Sequence, residues 1–375
     1  MDVREKEDMK VETDSVEEFI LTIKDISAKN KIYIWGAGTY GTTFGSFFNE
    51  NKIRWSGYID NCKELTEKRI QGKRVYQLEE IKEIDDVVVL ISVSPVVHRI
   101  AYVEICEQLL NYGIKEEKII RLSENLSMAQ NIMLYEKKSE KYFQRLKELK
   151  GKFANKRCFV IGNGPSLRIE DLEKIANEIS MGCNGLIQLF DKTIWKPTCY
   201  YLEDTNFIRK YVKNEEDLRN ITDNCAFVFA SVFNEIFDKY KDKYGNLYFF
   251  YTKRDLDHIQ FEEDITTGMY TGGTSLYGIM QIAVYMGIEE IYLLGVDYTF
   301  RKEVYADGKV VENKNVNNHM NEIDQADNGL YYMDWIEQGW LCAKKYAEEH
   351  NIKIYNATRG GKLEIFERVN FDDLF

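Results

Sequence analysis

Twice in this chain an apolar run of five residues ends directly on a glycine-rich turn, and that pairing restricts the fold more than any other feature. Lys31-Ile32-Tyr33-Ile34-Trp35 runs into Gly36-Ala37-Gly38-Thr39-Tyr40-Gly41, and Arg157-Cys158-Phe159-Val160-Ile161 runs into Gly162-Asn163-Gly164-Pro165-Ser166-Leu167. A short unbroken apolar run reads as a strand buried on both faces, and a glycine turn after it as the start of a βα unit. At the second turn Gly162 and Gly164 allow close backbone approach, Pro165 suits a first helical turn, and a helix is expected over 171–178. The amides there would favour a phosphate. Asn163 adds a side chain that both donates and accepts, as sugar hydroxyls and base edges require. A generic βα turn would supply the glycines alone.

The expected strand over 55–60 ends in Asp60, nineteen residues after Gly41. That is the spacing of a dinucleotide fingerprint, in which Gly36, Gly38 and Gly41 approach the cofactor and the acid holds a ribose hydroxyl. A strand over 87–92 and helices over 16–26, 42–49 and 103–112 complete the alternation, so residues 28–125 are expected to form a small Rossmann-like nucleotide-binding domain. Residues 1–27 read as a charged tail and a helix. Residues 126–156 read as a helical linker whose charges are a solvated face. From 157 the alternation resumes, with strands over 157–161, 198–202, 226–230, 246–251, 290–294 and 352–355. Helices are expected over 171–178, 217–221, 275–286 and 331–350. The expected fold class is α/β: two doubly wound domains with mainly parallel sheets, the second spanning 157–375.

Thr271-Gly272-Gly273-Thr274-Ser275 precedes a strongly helical run and is a second place to hold an anion. The strand over 290–294 then leads through Gly295 to Asp297. Because ligands in open α/β sheets sit beyond strand carboxyl ends, Asn163, Asn184, Asp204, Ser275 and Asp297 are expected at one crevice. A helix cap or turn carboxylate is the other reading of Asp297. His319, in a polar stretch after an expected loop over 301–310, is the candidate general base, with an exposed loop residue as the alternative. His98, His258 and His350 read as structural or surface residues. No HxH, HExxH or His-Cys cluster is present, so no metal site is expected. A GxSxG elbow and a GxxxxGK[ST] loop are also missing from the sequence.

The net charge of −12 argues against nucleic acid as a partner. No run approaches eighteen apolar residues and the start, Met1-Asp2-Val3-Arg4, has no apolar signal region, so no transmembrane segment and a cytoplasmic location are expected. The seven cysteines are scattered without a CxxC pair and read as reduced core residues. Peripheral membrane contact and homo-oligomerisation are left open, with Trp335 and Trp340 on one helix able to face a core, a partner or a lipid surface.

The ordered series Phe159 to Leu167, Gly182-Cys183-Asn184, Thr274-Ser275 and Glu290 to Asp297 resembles the bacterial family 42 sialyltransferases. It is also similar to the broader superfamily of Maf glycosyltransferases and MptE-like pterin diphosphokinases, to which Ile354-Tyr355-Asn356-Ala357-Thr358-Arg359-Gly360-Gly361 is nearer. The resemblance covers about residues 155–370 and implies a GT-A-like sialyltransferase fold for the second domain. It implies inverting transfer from a CMP-activated sugar, of sialic or nonulosonic type, to a hydroxyl of a glycan or lipid-linked acceptor, with no cofactor required. Asn163 and Asn184, with Gly162, Gly164, Ser166, Asp204, Thr274, Ser275, Gly295 and Asp297, would hold the donor. His319 would be the base, and Tyr298 and Tyr305 would meet the leaving phosphate. Gly272 stands where that family carries an arginine, and Thr299 where it carries the first tyrosine.

The MptE-like alternative implies magnesium-dependent transfer of a diphosphate from ATP to a pterin alcohol, with Asp204 and Asp297 as ligands. The first domain, through Trp35-Gly36-Ala37-Gly38 and Gly57-Tyr58-Ile59-Asp60-Asn61, resembles the modules that open sugar acyltransferases. It would bind NAD or another nucleotide, or serve as a scaffold. A third reading is a non-catalytic nucleotide-sensing partner in polysaccharide assembly.

Overall fold

In a computed structural model of the chain, the described residues are all except 1–9, 12–14, 67, 83, 96–97, 124–125, 127–140, 233–234, 241, 254–258, 307 and 321–328. The chain divides into two units, Met1–Ser139 and Glu140–Phe375. Both are mixed α/β with mainly parallel sheets. Among the described residues no helix is long and apolar enough to cross a membrane.

The first unit carries a seven-stranded sheet in the order Lys10–Val11, Ile119–Leu122, Val87–Ile91, Lys31–Trp35, Gly57–Ile59, Lys73–Tyr76, Arg69–Ile70. All neighbours are parallel except the last pair. Val87–Ile91 is buried along its whole length, as an unbroken Val-Val-Val-Leu-Ile run requires. Phe19 and Ile23 of helix Val16–Lys29 and Phe44, Phe47 and Phe48 of helix Thr39–Glu50 fill one face of the sheet. Ile105 and Leu109 of helix Arg99–Asn111 fill the other. The strand order reverses between Lys31–Trp35 and Val87–Ile91, beside the first glycine turn.

The second unit holds eight parallel strands in the order Leu247–Phe250, Phe227–Ser231, Cys199–Leu202, Ile179–Cys183, Arg157–Ile161, Glu290–Leu294, Lys353–Asn356, Glu367–Arg368. Helices Ser275–Tyr285 and Met333–Glu349 cover one face, and Ile169–Lys174 and Glu215–Asn224 the other. Here the order reverses between Arg157–Ile161 and Glu290–Leu294. In an open α/β sheet that switch point is where a crevice opens beyond the strand carboxyl ends.

Several expectations change. Of the linker, 127–140 lies outside the described residues, as does His258. Lys141–Leu149 is a 3₁₀ helix whose Leu146 and Leu149 are buried in the core of the second unit, while Lys147 and Glu148 stay exposed. The helix after Pro165 starts only at Ile169 and spans six residues, so no helix start stands at Gly164. The expected loop over 301–310 is a hairpin of Lys302–Val304 and Val310–Glu312, with Tyr331–Tyr332 beside it. Five of the seven cysteines are buried, Cys342 is partly so and Cys62 is exposed; all are free thiols.

Candidate functional site

The Gly162 turn is held from the neighbouring strand. Gly162 N donates to Leu294 O at 2.8 Å and Gly164 N to Gly295 O at 2.9 Å. A Cβ on Gly164 would overlap Asp297 Oδ2, so only glycine admits that carboxylate. Asp297 Oδ2 accepts from Ser166 Oγ at 2.7 Å and from Ser166 N at 3.3 Å. The segment over 358–362 supports it from behind: Thr358 Oγ1 accepts from Val296 N at 3.0 Å, and Lys362 N donates to Asp297 O at 2.8 Å.

Around this turn lies a cavity of about 480 Å³. Gly162, Asn163, Gly164, Asn184, Asp204, Thr274, Ser275, Gly295, Asp297, Tyr298 and His319 all line it. They come from the carboxyl ends of Arg157–Ile161, Ile179–Cys183, Cys199–Leu202 and Glu290–Leu294, from the start of helix Ser275–Tyr285, and from the chain after the hairpin. Ser166 acts one step back, through Asp297. Tyr305 is outside the lining: its hydroxyl donates to Glu303 at 2.9 Å, which also pushes its pKa up. A role for Tyr305 at a leaving phosphate is therefore corrected.

Asn163 is fixed at both ends, its Nδ2 donating to Cys183 O at 3.3 Å and its O accepting from Met320 N at 2.8 Å. The latter bond sets His319 beside the turn. Asn184 adopts a left-handed φ of 51°, which asparagine tolerates, and its O accepts from the Tyr200 hydroxyl. Its Oδ1 is buried with no partner in the protein. Asp204 Oδ1 accepts from Phe207 N at 3.2 Å, at the start of helix Thr205–Tyr211. Thr274 caps its helix through Leu276 N at 3.4 Å.

Sequence reasoning missed Phe207, Lys210 and Tyr211, on the chain that follows strand Cys199–Leu202, and Phe300, Tyr331 and Trp340, on the chain that follows strand Glu290–Leu294. Helix Thr205–Tyr211 begins directly after Asp204, so the available signal was its place at a strand end. Burial raises the Cys183 thiol to about 12, which keeps it a neutral wall residue. Among the described residues no three His, Cys, Asp or Glu are grouped to hold a metal ion.

In the first unit Gly36, Gly38 and Gly41 form the expected turn, but Asp60 closes on it. Its Oδ2 accepts from Ala37 N and its Oδ1 from Cys62 N, each at 2.8 Å. His98 stacks edge-on against Tyr40, and His350 lies within 3.1 Å of Glu263, away from the cavity lining.

Two protein-family models match the chain. Residues 129–303 match 6-hydroxymethylpterin diphosphokinase MptE-like, and residues 28–120 match C2185-like, N-terminal. No curated protein matches. Among solved structures, a Rex-family repressor, RSP, is 13% identical, with 34% of this chain and 69% of that chain covered at a TM-score of 0.23. RSP in complex with β-NADH is 16% identical, with 36% and 72% covered at 0.22. The second unit is thus similar over much of its length to MptE-like proteins.

Proposed function

We propose that the second unit is a nucleotide-dependent transferase that moves a diphosphate from a nucleoside triphosphate to an alcohol, the chemistry named by the MptE-like match. The observation that carries this reading is the convergence of Asn163, Asn184, Asp204, the Thr274–Ser275 helix start and His319 on one switch-point cavity. The alcohol oxygen attacks the β-phosphorus, the bond from that phosphorus to the α,β-bridging oxygen breaks, and the nucleoside monophosphate leaves with the electron pair. His319 accepts the alcohol proton, and the Lys210 ammonium faces the phosphate charge.

Such chemistry uses magnesium, which when bound would neutralise phosphate oxygens. Asp204 is the carboxylate that fits it. Asp297 is closed on Ser166, and the strands leading to the two acids stand three spacings, roughly 14 Å, apart, so one carboxylate plus phosphates is the donor set.

A second reading, glycosyl transfer from a CMP-activated sugar, is favoured by Asn163, Asn184, Thr274, Ser275 and His319 sharing that cavity. The first unit is proposed to act as a scaffold whose glycine turn is held by Asp60, with NAD or another nucleotide at that turn as the alternative. Calorimetric titration with ATP, CMP, UDP and NAD, with and without magnesium, separates these readings. Magnesium-dependent ATP binding that Asn163→Ala weakens at least tenfold, with AMP released in the presence of 6-hydroxymethylpterin, is the expected result. Metal-independent CMP binding without ATP binding would sink it in favour of the sugar donor.

A further inference from the structure

No helix or strand holds His319: residues 313–320 leave the hairpin as turns and bends. A general base works only within hydrogen-bond reach of the proton it takes, so something else must fix its place. Side-chain amides stand in for the missing ladder. Asn313 Nδ2 donates to Phe300 O at 2.9 Å, and Asn313 N donates to Arg301 O at 2.7 Å. Asn318 Oδ1 accepts from Arg301 N at 2.6 Å. The two asparagines together pair both backbone groups of Arg301, as a neighbouring strand would, and Val316 N donates to Asn313 O at 3.0 Å to turn the chain between them.

His319 is therefore anchored one residue to each side. On one side Asn318 is bonded to Arg301, beyond strand Glu290–Leu294; on the other Met320 N donates to Asn163 O at 2.8 Å, beyond strand Arg157–Ile161. Those two strands are neighbours at the switch point, so the histidine is suspended across the mouth of the crevice it lines. Met320 also packs against the core that Phe159 and Ile161 help to build, whereas Asn318 is anchored through its side chain. What Arg301 presents is an N–H, so the anchor at 318 must be an acceptor. A single substitution there can release one side of His319 and leave the other fixed.

We infer that Asn318 is a positioning residue for the transfer reaction: its side-chain oxygen, held by the Arg301 amide, sets the place from which His319 takes the proton of the alcohol. The inference rests on the transfer reading above. It also gives the hairpin of Lys302–Val304 and Val310–Glu312, which begins directly after Arg301, a bearing on the base. Releasing Asn318 leaves Asn163, Asp204 and the Thr274–Ser275 helix start in place, so the chemical step suffers and nucleotide binding does not.

Release of AMP from magnesium ATP in the presence of 6-hydroxymethylpterin, measured on the full chain with Asn318→Ala, His319→Gln and the two together, tests this. Asn318→Ala should lower kcat about ten- to a hundredfold, the loss expected when a catalytic group is displaced by about 1 Å. KM and calorimetric affinity for ATP should stay unchanged, which also reports that the variant is folded. In the His319→Gln background the same substitution should change kcat by less than about twofold, because the base it places is gone. Asn318→Asp, which keeps an accepting oxygen, should restore most of kcat. Equal losses from Asn318→Ala with and without His319 would place its action on the fold or on substrate and overturn the inference. So would an unchanged kcat in Asn318→Ala, or ATP affinity lost together with kcat. Full kcat in His319→Gln would remove the base, and the inference with it, while leaving diphosphate transfer standing. If the unmutated chain releases no AMP, the transfer reading falls first and takes the inference with it.

Discussion

The two glycine turns share a layout and differ in which acid closes on them. In each unit the turn follows the strand at the switch point, Lys31–Trp35 or Arg157–Ile161. The residue directly after the next strand is Asp60 in the first unit and Asn184 in the second. Asp60 sits where a dinucleotide fold keeps its ribose-binding acid, yet each of its carboxylate oxygens accepts a backbone N–H. In the second unit that place holds an amide with an unpartnered Oδ1, and the acid, Asp297, comes from the strand on the other side of the switch point. A glycine turn with a well-spaced acid therefore describes how a loop is held. Ligand binding needs the further convergence of strand-end side chains that the second unit displays.

The largest effects should come from filling the turns. A Cβ on Gly41 would overlap the Gly36 carbonyl, a backbone atom that cannot move aside, whereas one on Gly164 overlaps the Asp297 carboxylate. Gly41→Ala is expected to cost about 3 kcal/mol in the first unit's urea transition. Gly164→Ala is expected to cost about 2 kcal/mol in the second's, with loss of nucleotide binding as Asp297 is displaced. Equal costs with binding intact would break the contrast between a backbone lock and a side-chain lock.

Removing the acids is next in size. Hydrogen bonds to a charged group contribute about 1.5–3 kcal/mol each way of counting, so Asp60→Ala and Asp297→Ala should each destabilise their own unit by about 2 kcal/mol. Only Asp297→Ala should also weaken ATP binding, because Asp297 and Gly164 line the cavity. Loss of NAD binding on Asp60→Ala, with stability unchanged, would instead make Asp60 a ligand residue and the first unit a dinucleotide site.

These locks also mark what the sequence could and could not reveal. Apolar runs such as Val87–Ile91 and Glu290–Leu294 announce buried parallel strands, and the strand-end motifs identified Asn163, Asn184, Asp204 and Asp297 in the cavity lining. Ile179–Cys183 escaped because Ser180 and Gly182 interrupt it. Ser180 is buried only by accepting from Trp195 Nε1 at 3.0 Å, and Gly182 leaves room for Leu186, and neither contact is visible in one dimension. The aromatic lining escaped for a related reason: Phe300, Tyr331 and Trp340 are far apart in sequence and meet only because the hairpin after Asp297 returns the chain to the helix Met333–Glu349. The misplacement of Tyr305 has the same origin, since pairing of Lys302–Val304 with Val310–Glu312 turns its hydroxyl to Glu303.

The smallest effect concerns tyrosine ionisation, and it probes the charge around Tyr298 directly. Tyr102 in the first unit and Tyr298 in the second are both raised to about 12, burial being the leading cause in each. For Tyr298 the carboxylates of Glu337, Glu303 and Asp334 add to burial, whereas Arg121 partly opposes it at Tyr102. An unfolded phenol ionises near 10, so each fold holds its tyrosine proton more tightly than the unfolded chain does. The resulting stabilisation is present below about pH 10 and is lost as pH rises towards 12. Ultraviolet difference titration should show both phenols neutral at pH 10. Glu337→Gln should lower the Tyr298 midpoint and leave Tyr102 where it is. A Tyr298 midpoint unmoved by Glu337→Gln would mean that burial alone holds the proton and that the neighbouring carboxylates set no field at this phenol.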